Sequence, residues 1–140
     1  MNRRTLLTTI TLAVSSTLVL ACGPDKPRAL VVADGSGTVH AKAVDGRAKT
    51  YEQRTGRPVR ILQVPPAQAV LLASRGEADV AVVPLDTPLD TFLASEHGHV
   101  HGVLVSGGER LRILEVDAKQ HPKVDAKGAK DLATALITPP

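Results

Sequence analysis

The chain has 140 residues, with 17 lysines and arginines against 14 aspartates and glutamates, five histidines and a formal net charge of +3. It holds one Tyr, one Phe and no Trp, and its basic residues are scattered, so it lacks the stacking platforms and basic stripe of a nucleic-acid reader. A single cysteine excludes an internal disulfide, and the length suits one domain.

Met1 to Ala21 reads as a signal peptide. Arg3 and Arg4 give a positive start, and Leu6 to Leu20 is an apolar stretch broken by Thr and Ser, too short and mixed to read as a membrane span. It closes on the small residue Ala21, which a signal peptidase pocket accepts. Val19-Leu20-Ala21-Cys22-Gly23 resembles a bacterial lipobox, in which the cysteine is lipid-modified and becomes the new N-terminus. The bland alternatives are a plain secretory signal or a buried core cysteine. Lipidation is the expectation, because the only cysteine sits where the motif needs it. Loss of this leader removes two arginines and no acids and takes the charge to +1, so the basic balance says little about partners.

Cys22 to Arg28 is a short Pro-bearing tether, and residues 29–140 form the folded unit. Ala29 to Ala33 is a continuous apolar run, the pattern of a strand buried on both faces. Val39 to Arg54 is helical, with a weak apolar face of Ala41, Val44, Ala48 and Tyr51, and Gly56 is its left-handed stop. Val59 to Val64 is a second strand, Ala67 to Arg75 a short helix closed by Gly76, and Ala78 to Val83 a third strand. Pro84 to Pro88 turns the chain. Pro88 suits the first position of a helix running to Ser95, since its missing N–H is an orphan there anyway. Val100 to Val105 and Leu111 to Val116 flank Ser106-Gly107-Gly108-Glu109, a hairpin turn. Ala126 to Ile137 is an amphipathic last helix with Asp125 as its N-cap.

Alternating strands and helices predict an α/β fold: one three-layer lobe, a mostly parallel sheet with helices on both faces, plus one antiparallel hairpin at Ser106–Glu109. Ligands in such sheets sit beyond the carboxyl ends of the strands. Here those ends carry Asp34 to Thr38, Pro65-Pro66-Ala67 and Pro84 to Thr87.

Ser36-Gly37-Thr38 after the first strand, Tyr51 to Val59 (YEQRTGRPV), Ala69 to Val83 (AVLLASRGEADVAVV) and Phe92 to Gly98 come in an order and spacing that resembles the first lobe of a periplasmic solute-binding protein. The nearest resemblance is to the tungstate-binding proteins of ABC importers. Ile113 to Pro140 resembles that family's closing segment, which returns to the first lobe after a whole second lobe. Only a dozen residues join Gly98 to Leu111. The resemblance therefore implies a single-lobe version, with the two crossover strands closed directly by Ser-Gly-Gly-Glu. An unrelated small fold with an ordinary hairpin is the competing reading.

The resemblance also implies an extracytoplasmic binder of a tetrahedral oxyanion serving an importer permease. Such an ion needs many N–H and O–H donors, which helix N-termini and concave backbone runs supply. Ser36, Gly37 and Thr38 stand at such a place, although Ser36 or Thr38 can equally cap the helix that follows. Where the family tends to carry Gly-Thr-Gly, this chain has Pro65-Pro66-Ala67, which removes two backbone donors. Asp34 and Asp86 would repel an anion if they faced the cleft. These departures, with the absent lobe, support a second reading: a surface lipoprotein that binds another protein and has lost its ligand. His97, His99 and His101 alternate, as three ligands on one strand face would, but exposed histidines at a loop junction are the preferred reading, and no metal is assigned. His40 is placed on a helix surface, His121 at a turn, and Asp86 as an N-terminal cap. Without a nucleophile elbow, neither enzyme activity nor a cofactor is expected.

Overall fold

The computed structural model describes residues 27–139. The signal peptide, Cys22 and all of the tether before Pro27 lie outside the described residues. In chain order the elements are β1 (Leu30–Asp34), α1 (Thr38–Thr55), β2 (Val59–Gln63), α2 (Pro66–Ser74), β3 (Val80–Pro84), α3 (Asp90–Ala94), β4 (Gly98–Ser106), β5 (Glu109–Val116) and α4 (Ala126–Ile137). They form one five-stranded sheet in the order β2-β1-β3-β5-β4. The fold is α/β with a parallel core: β1 pairs in parallel with both β2 and β3. The hairpin strand β5 joins β3 antiparallel and carries β4 as the far edge.

Strand order explains the burial. β1 and β3 are covered laterally by neighbours and above and below by helices, and their apolar runs are buried almost throughout. β2 is an edge, and its Arg60 and Gln63 reach solvent. Right-handed crossovers that step from β1 out to β2 and back to β3 place α1 and α2 on opposite faces. α4 packs beside α1 and over β4 and β5, while α2 covers β1 and β3. Leu132, Ala133 and Leu136 of α4 and Val44 and Tyr51 of α1 join the sheet's Leu30, Val32, Leu104 and Ile113 in one core.

Several local signals act as expected. Gly56 takes the left-handed conformation that ends α1, and Asp125 caps α4 by accepting the Gly128 N–H at 2.9 Å. Gly107 and Gly108 have φ of 58° and 81°, so both central residues of the two-residue loop between Ser106 and Glu109 take the positive φ that a type I′ hairpin requires.

Other expectations are corrected. α3 begins at Asp90, not at Pro88, and no side chain caps it, so Asp86 is no cap. The helix is only five residues long, with Leu89 and Phe92 buried and Leu93 exposed. His40 is not on the helix surface: it is 6% exposed and takes the core-facing place in the first turn of α1 that was assigned to Ala41.

One buried carboxylate fastens the start of β1 to the end of the chain. Asp79 is 1% exposed. It accepts both Arg28 guanidinium nitrogens at 2.7 and 3.0 Å, the Val31 N–H at 2.8 Å and the Asp125 N–H at 3.2 Å. Burying the charge is tolerable because its lone pairs are taken up by four donors, one a bidentate guanidinium.

Candidate functional site

The loops after β1 and β2 meet at the carboxyl end of the parallel strands. Gly35 makes this possible: its N–H donates to Val82 O at 2.7 Å, and a Cβ there would stand 2.8 Å from the Pro66 backbone. The resulting open cleft, about 220 Å³, is lined by Asp34, Gly37, Thr38, Gln63, Val64 and Pro65.

Two of the three anticipated residues, Gly37 and Thr38, line this cleft, and Ser36 sits just behind them. Their donors are largely free. Gly37 O accepts from His40 and Ala41, which starts α1, while no side chain caps the helix. The N–H groups of Gly37, Thr38 and Val39 have no hydrogen-bond partner among the described residues. Capping, the alternative role for Ser36 and Thr38, is therefore not what either does here. Ser36 is 7% exposed, and its Oγ is buried without a partner. Three unpaired N–H groups at the positive end of an 18-residue helix, with a spare hydroxyl beside them, form a partial anion cradle.

The cradle has two counterweights. Asp34 is 2% exposed; its Oδ1 accepts the Ser36 N–H at 2.9 Å, which shapes the loop, and its Oδ2 has no partner. On the other side, α2 starts with Pro66 after Pro65, so its first position offers no N–H. The third loop does not join the cleft. Thr87 and Pro88 line a separate groove of about 330 Å³ against Leu71, Asp90 and Phe92 of α2 and α3, and exposed Leu71 and Leu85 mark this end of the molecule as apolar. Asp86 is exposed and lines neither.

Next to the cradle, His40 ties α1 to the hairpin. Its Nδ1 lies 3.1 Å from Ser106 Oγ and its Nε2 lies 2.8 Å from Glu109 Oε2. Both ring nitrogens are satisfied, which is why an imidazole is tolerated under the helix. This serine–imidazole–carboxylate order has the connectivity of a hydrolytic triad, with Nδ1 rather than Nε2 toward the hydroxyl. Sequence reasoning missed it because His40 lies more than sixty residues from Ser106 and Glu109.

The alternating histidines do not act as one row. His97 turns away and pairs with His121, Nδ1 to Nε2 at 3.1 Å, with the rings 5.2 Å apart. Burial and the neighbouring His97 push the His121 imidazole below its ordinary pKa, against a smaller opposing effect of Asp117. His99 and His101 instead converge on Glu115 of β5. A bulge between Val100 and Gly102 allows this, because it inserts His101 as an extra residue and re-aims it.

No protein-family model matches the sequence, and no curated protein matches it. Solved structures do. The tungstate ABC transporter protein of Geobacter sulfurreducens superposes with a TM-score of 0.66 at 11% identity, over 80% of this chain and 95% of that one. The LysR substrate-binding domain, residues 25–263, of a periplasmic protein from Wolinella succinogenes gives 0.65 at 11%, over 79% and 95%. A conserved protein of unknown function from Vibrio parahaemolyticus gives 0.65 at 10%, over 80% and 95%. The Wolinella domain is longer than the whole 140-residue chain, so the matched span of that domain contains residues with no counterpart here. At these identities the likeness speaks for architecture alone: the chain shares the α/β fold of these structures.

Proposed function

We propose that this chain is a lipid-anchored, extracytoplasmic solute-binding-protein-like domain that takes a tetrahedral oxyanion of the tungstate or molybdate class, weakly, at Ser36, Gly37 and Thr38. In this reading residues 1–21 are the signal peptide, Cys22 carries the lipid, 22–28 are the tether, and 29–140 are one lobe of a clamp whose other half is replaced by the Ser106–Glu109 turn. Several acyl chains on Cys22 would hold it firmly where one would not. The partner is an ABC-importer permease, and the domain binds rather than transforms its ligand. Among the described residues no helix is long and apolar enough to cross a membrane.

The observation that carries this reading is the set of unpaired donors at the start of α1 beside the buried, unpartnered Ser36 hydroxyl. Magnitudes explain why binding should be weak. A helix N-terminus stabilises an anion by about 0.3–1 kcal/mol, or ~2 kcal/mol when partly buried. A unit negative charge held about 4 Å from a carboxylate loses ~4 kcal/mol at an effective dielectric near 20. Asp34 therefore offsets what the helix gives, and the hydrogen bonds from the free N–H groups and the Ser36 hydroxyl are left to supply a weak net affinity.

Isothermal titration with tungstate, molybdate, sulfate and phosphate tests the proposal. The expected outcome is a dissociation constant of about 0.1–1 mM, equivalent to ~4–5.5 kcal/mol, weakened several-fold by Ser36→Ala and strengthened by Asp34→Asn. No heat at 10-fold higher concentrations (about 10 mM), or equal binding to Ser36→Ala, would overturn it. The second reading, an interaction module that has lost its ligand, draws on Pro65-Pro66 and on the groove lined by exposed Leu71. It predicts no anion binding by wild type and none regained in Asp34→Asn.

A further inference from the structure

We infer that His99, His101 and Glu115 form a binding site for a first-row divalent cation of the zinc class, at the end of the sheet away from the anion cradle. One ligand atom from each of the three lies within 4.8 Å of the other two. Glu115 Oε2 is 3.3 Å from His99 Nε2 and 2.8 Å from His101 Nδ1.

These spacings are close to those of a coordination shell. Zinc–nitrogen and zinc–carboxylate bonds of about 2.0–2.1 Å in tetrahedral geometry put neighbouring ligand atoms ~3.3 Å apart. The His99–Glu115 separation already has that value. The His101–Glu115 pair needs to open by a few tenths of an ångström, and His99, whose side chain is 62% exposed, is free to swing inward. The two less mobile ligands are held in place. His101 and Glu115 are mostly buried. The second nitrogen of His101, Nε2, lies 3.1 Å from Thr134 Oγ1 of α4. That contact fixes the ring with Nδ1 directed at Glu115, as outer hydrogen bonds commonly do for metal-binding histidines.

The donor set also selects the ion. Two imidazoles and one carboxylate suit Zn²⁺, Ni²⁺ and Cu²⁺, whereas Mg²⁺ and Ca²⁺ require shells of oxygen. Three protein ligands leave a fourth position open toward solvent on the His99 side. The set is distinct from the His97–His121 pair, whose rings contact each other and not Glu115.

The test is titration of the full chain with ZnCl₂ by calorimetry, in a Cys22→Ser background that removes the only thiolate, with MgCl₂ as the comparison ion. One Zn²⁺ per chain is expected, with no heat from Mg²⁺. His99→Ala and Glu115→Gln should each weaken Zn²⁺ by tenfold or more, while His97→Ala leaves it unchanged. Because His99 is exposed, His99→Ala tests the site without risk to the core. Proton NMR should show the ring signals of His99 and His101 shifting together on Zn²⁺ addition. Zinc affinity that survives both His99→Ala and Glu115→Gln, or that is abolished by His97→Ala, or equal binding of Mg²⁺, overturns the inference.

Discussion

The parallel strands β2, β1 and β3 and the antiparallel pair β4–β5 belong to one sheet but carry different chemistry. Around the parallel strands, the groups left without protein partners are backbone N–H groups, one serine hydroxyl and one carboxylate oxygen. Around the hairpin the polar chemistry lies in side chains. His99 and His101 sit on it, His97 precedes it, His40 is bonded to its turn, and His121 pairs with His97. All five histidines of the chain thus bear on the hairpin, directly or through a partner. Parallel strands must be connected by helices, so their ends become helix N-termini, which are anion sites by construction. An antiparallel hairpin sets residues opposite one another across two strands, which brings side chains together as ligand sets. The two candidate sites follow from the two kinds of strand pairing.

The largest expected effect comes from breaking the seam between these halves. Phe92, the only phenylalanine, is 1% exposed at the junction where the chain leaves α3 for β4. Phe92→Ala should cost about 3–5 kcal/mol, read as a fall in the urea midpoint. If the halves are one cooperative unit, fluorescence of Tyr51 and backbone circular dichroism will report a single coincident transition. Separate transitions would show that the hairpin folds on its own account.

A smaller loss is expected within the parallel half. Asp79→Ala leaves the Val31 and Asp125 N–H groups without their acceptor and releases Arg28, which is half exposed and regains water. Unsatisfied buried donors cost about 1–3 kcal/mol each, so a loss of ~2–3 kcal/mol is expected in urea unfolding. Zinc affinity at His99, His101 and Glu115 should be unchanged, since Asp79 reaches β5 only through its own carbonyl, which accepts the Val116 N–H and survives the substitution. A variant that lost both would indicate that the Asp79 side-chain network and the cation cluster are coupled through the β3–β5 pairing.

The contrast between the halves also explains what could be read from the sequence. Continuous runs such as Leu30-Val31-Val32-Ala33 and Val80-Ala81-Val82-Val83 announce doubly covered strands without reference to anything else, and Gly56, Asp125 and Gly107-Gly108 act within a few residues of themselves. The α/β architecture and the hairpin were legible for that reason. Ser36, Gly37 and Thr38 were legible as a place, the end of β1, but their free donors and the buried Asp34 depend on what the loop after β2 brings. The histidine partners were not legible. His40 meets Glu109 across 69 residues and His97 meets His121 across 24, and β4 begins only at Gly98, so the strand alternation that would have grouped His97 with His99 does not reach His97. Glu115 gave no local signal, because its relation to His99 exists only through the register of two strands.

The smallest expected effect is an acid-dependent one at the end of the chain, and it distinguishes a cap from an ion pair. Asp125 has its pKa lowered from the model-peptide value of 3.8, first by the Gly128 N–H that it caps and then by Arg57. A carboxylate whose folded pKa lies below its unfolded value adds stability above the unfolded pKa and loses it as pH falls through the folded one. Wild type should therefore weaken as pH drops below about 4, in part through this group. Asp125→Asn keeps a good N-cap and removes the charge, costing a few tenths to about 1 kcal/mol at pH 6 because the pair is partly exposed. The stability difference between wild type and Asp125→Asn should then shrink as pH is lowered from 6 to 3, whereas Arg57→Ala should narrow it already at pH 6. If the gap held constant down to pH 3, the charge on Asp125 would contribute nothing, and the α4 cap alone would account for its place in the fold.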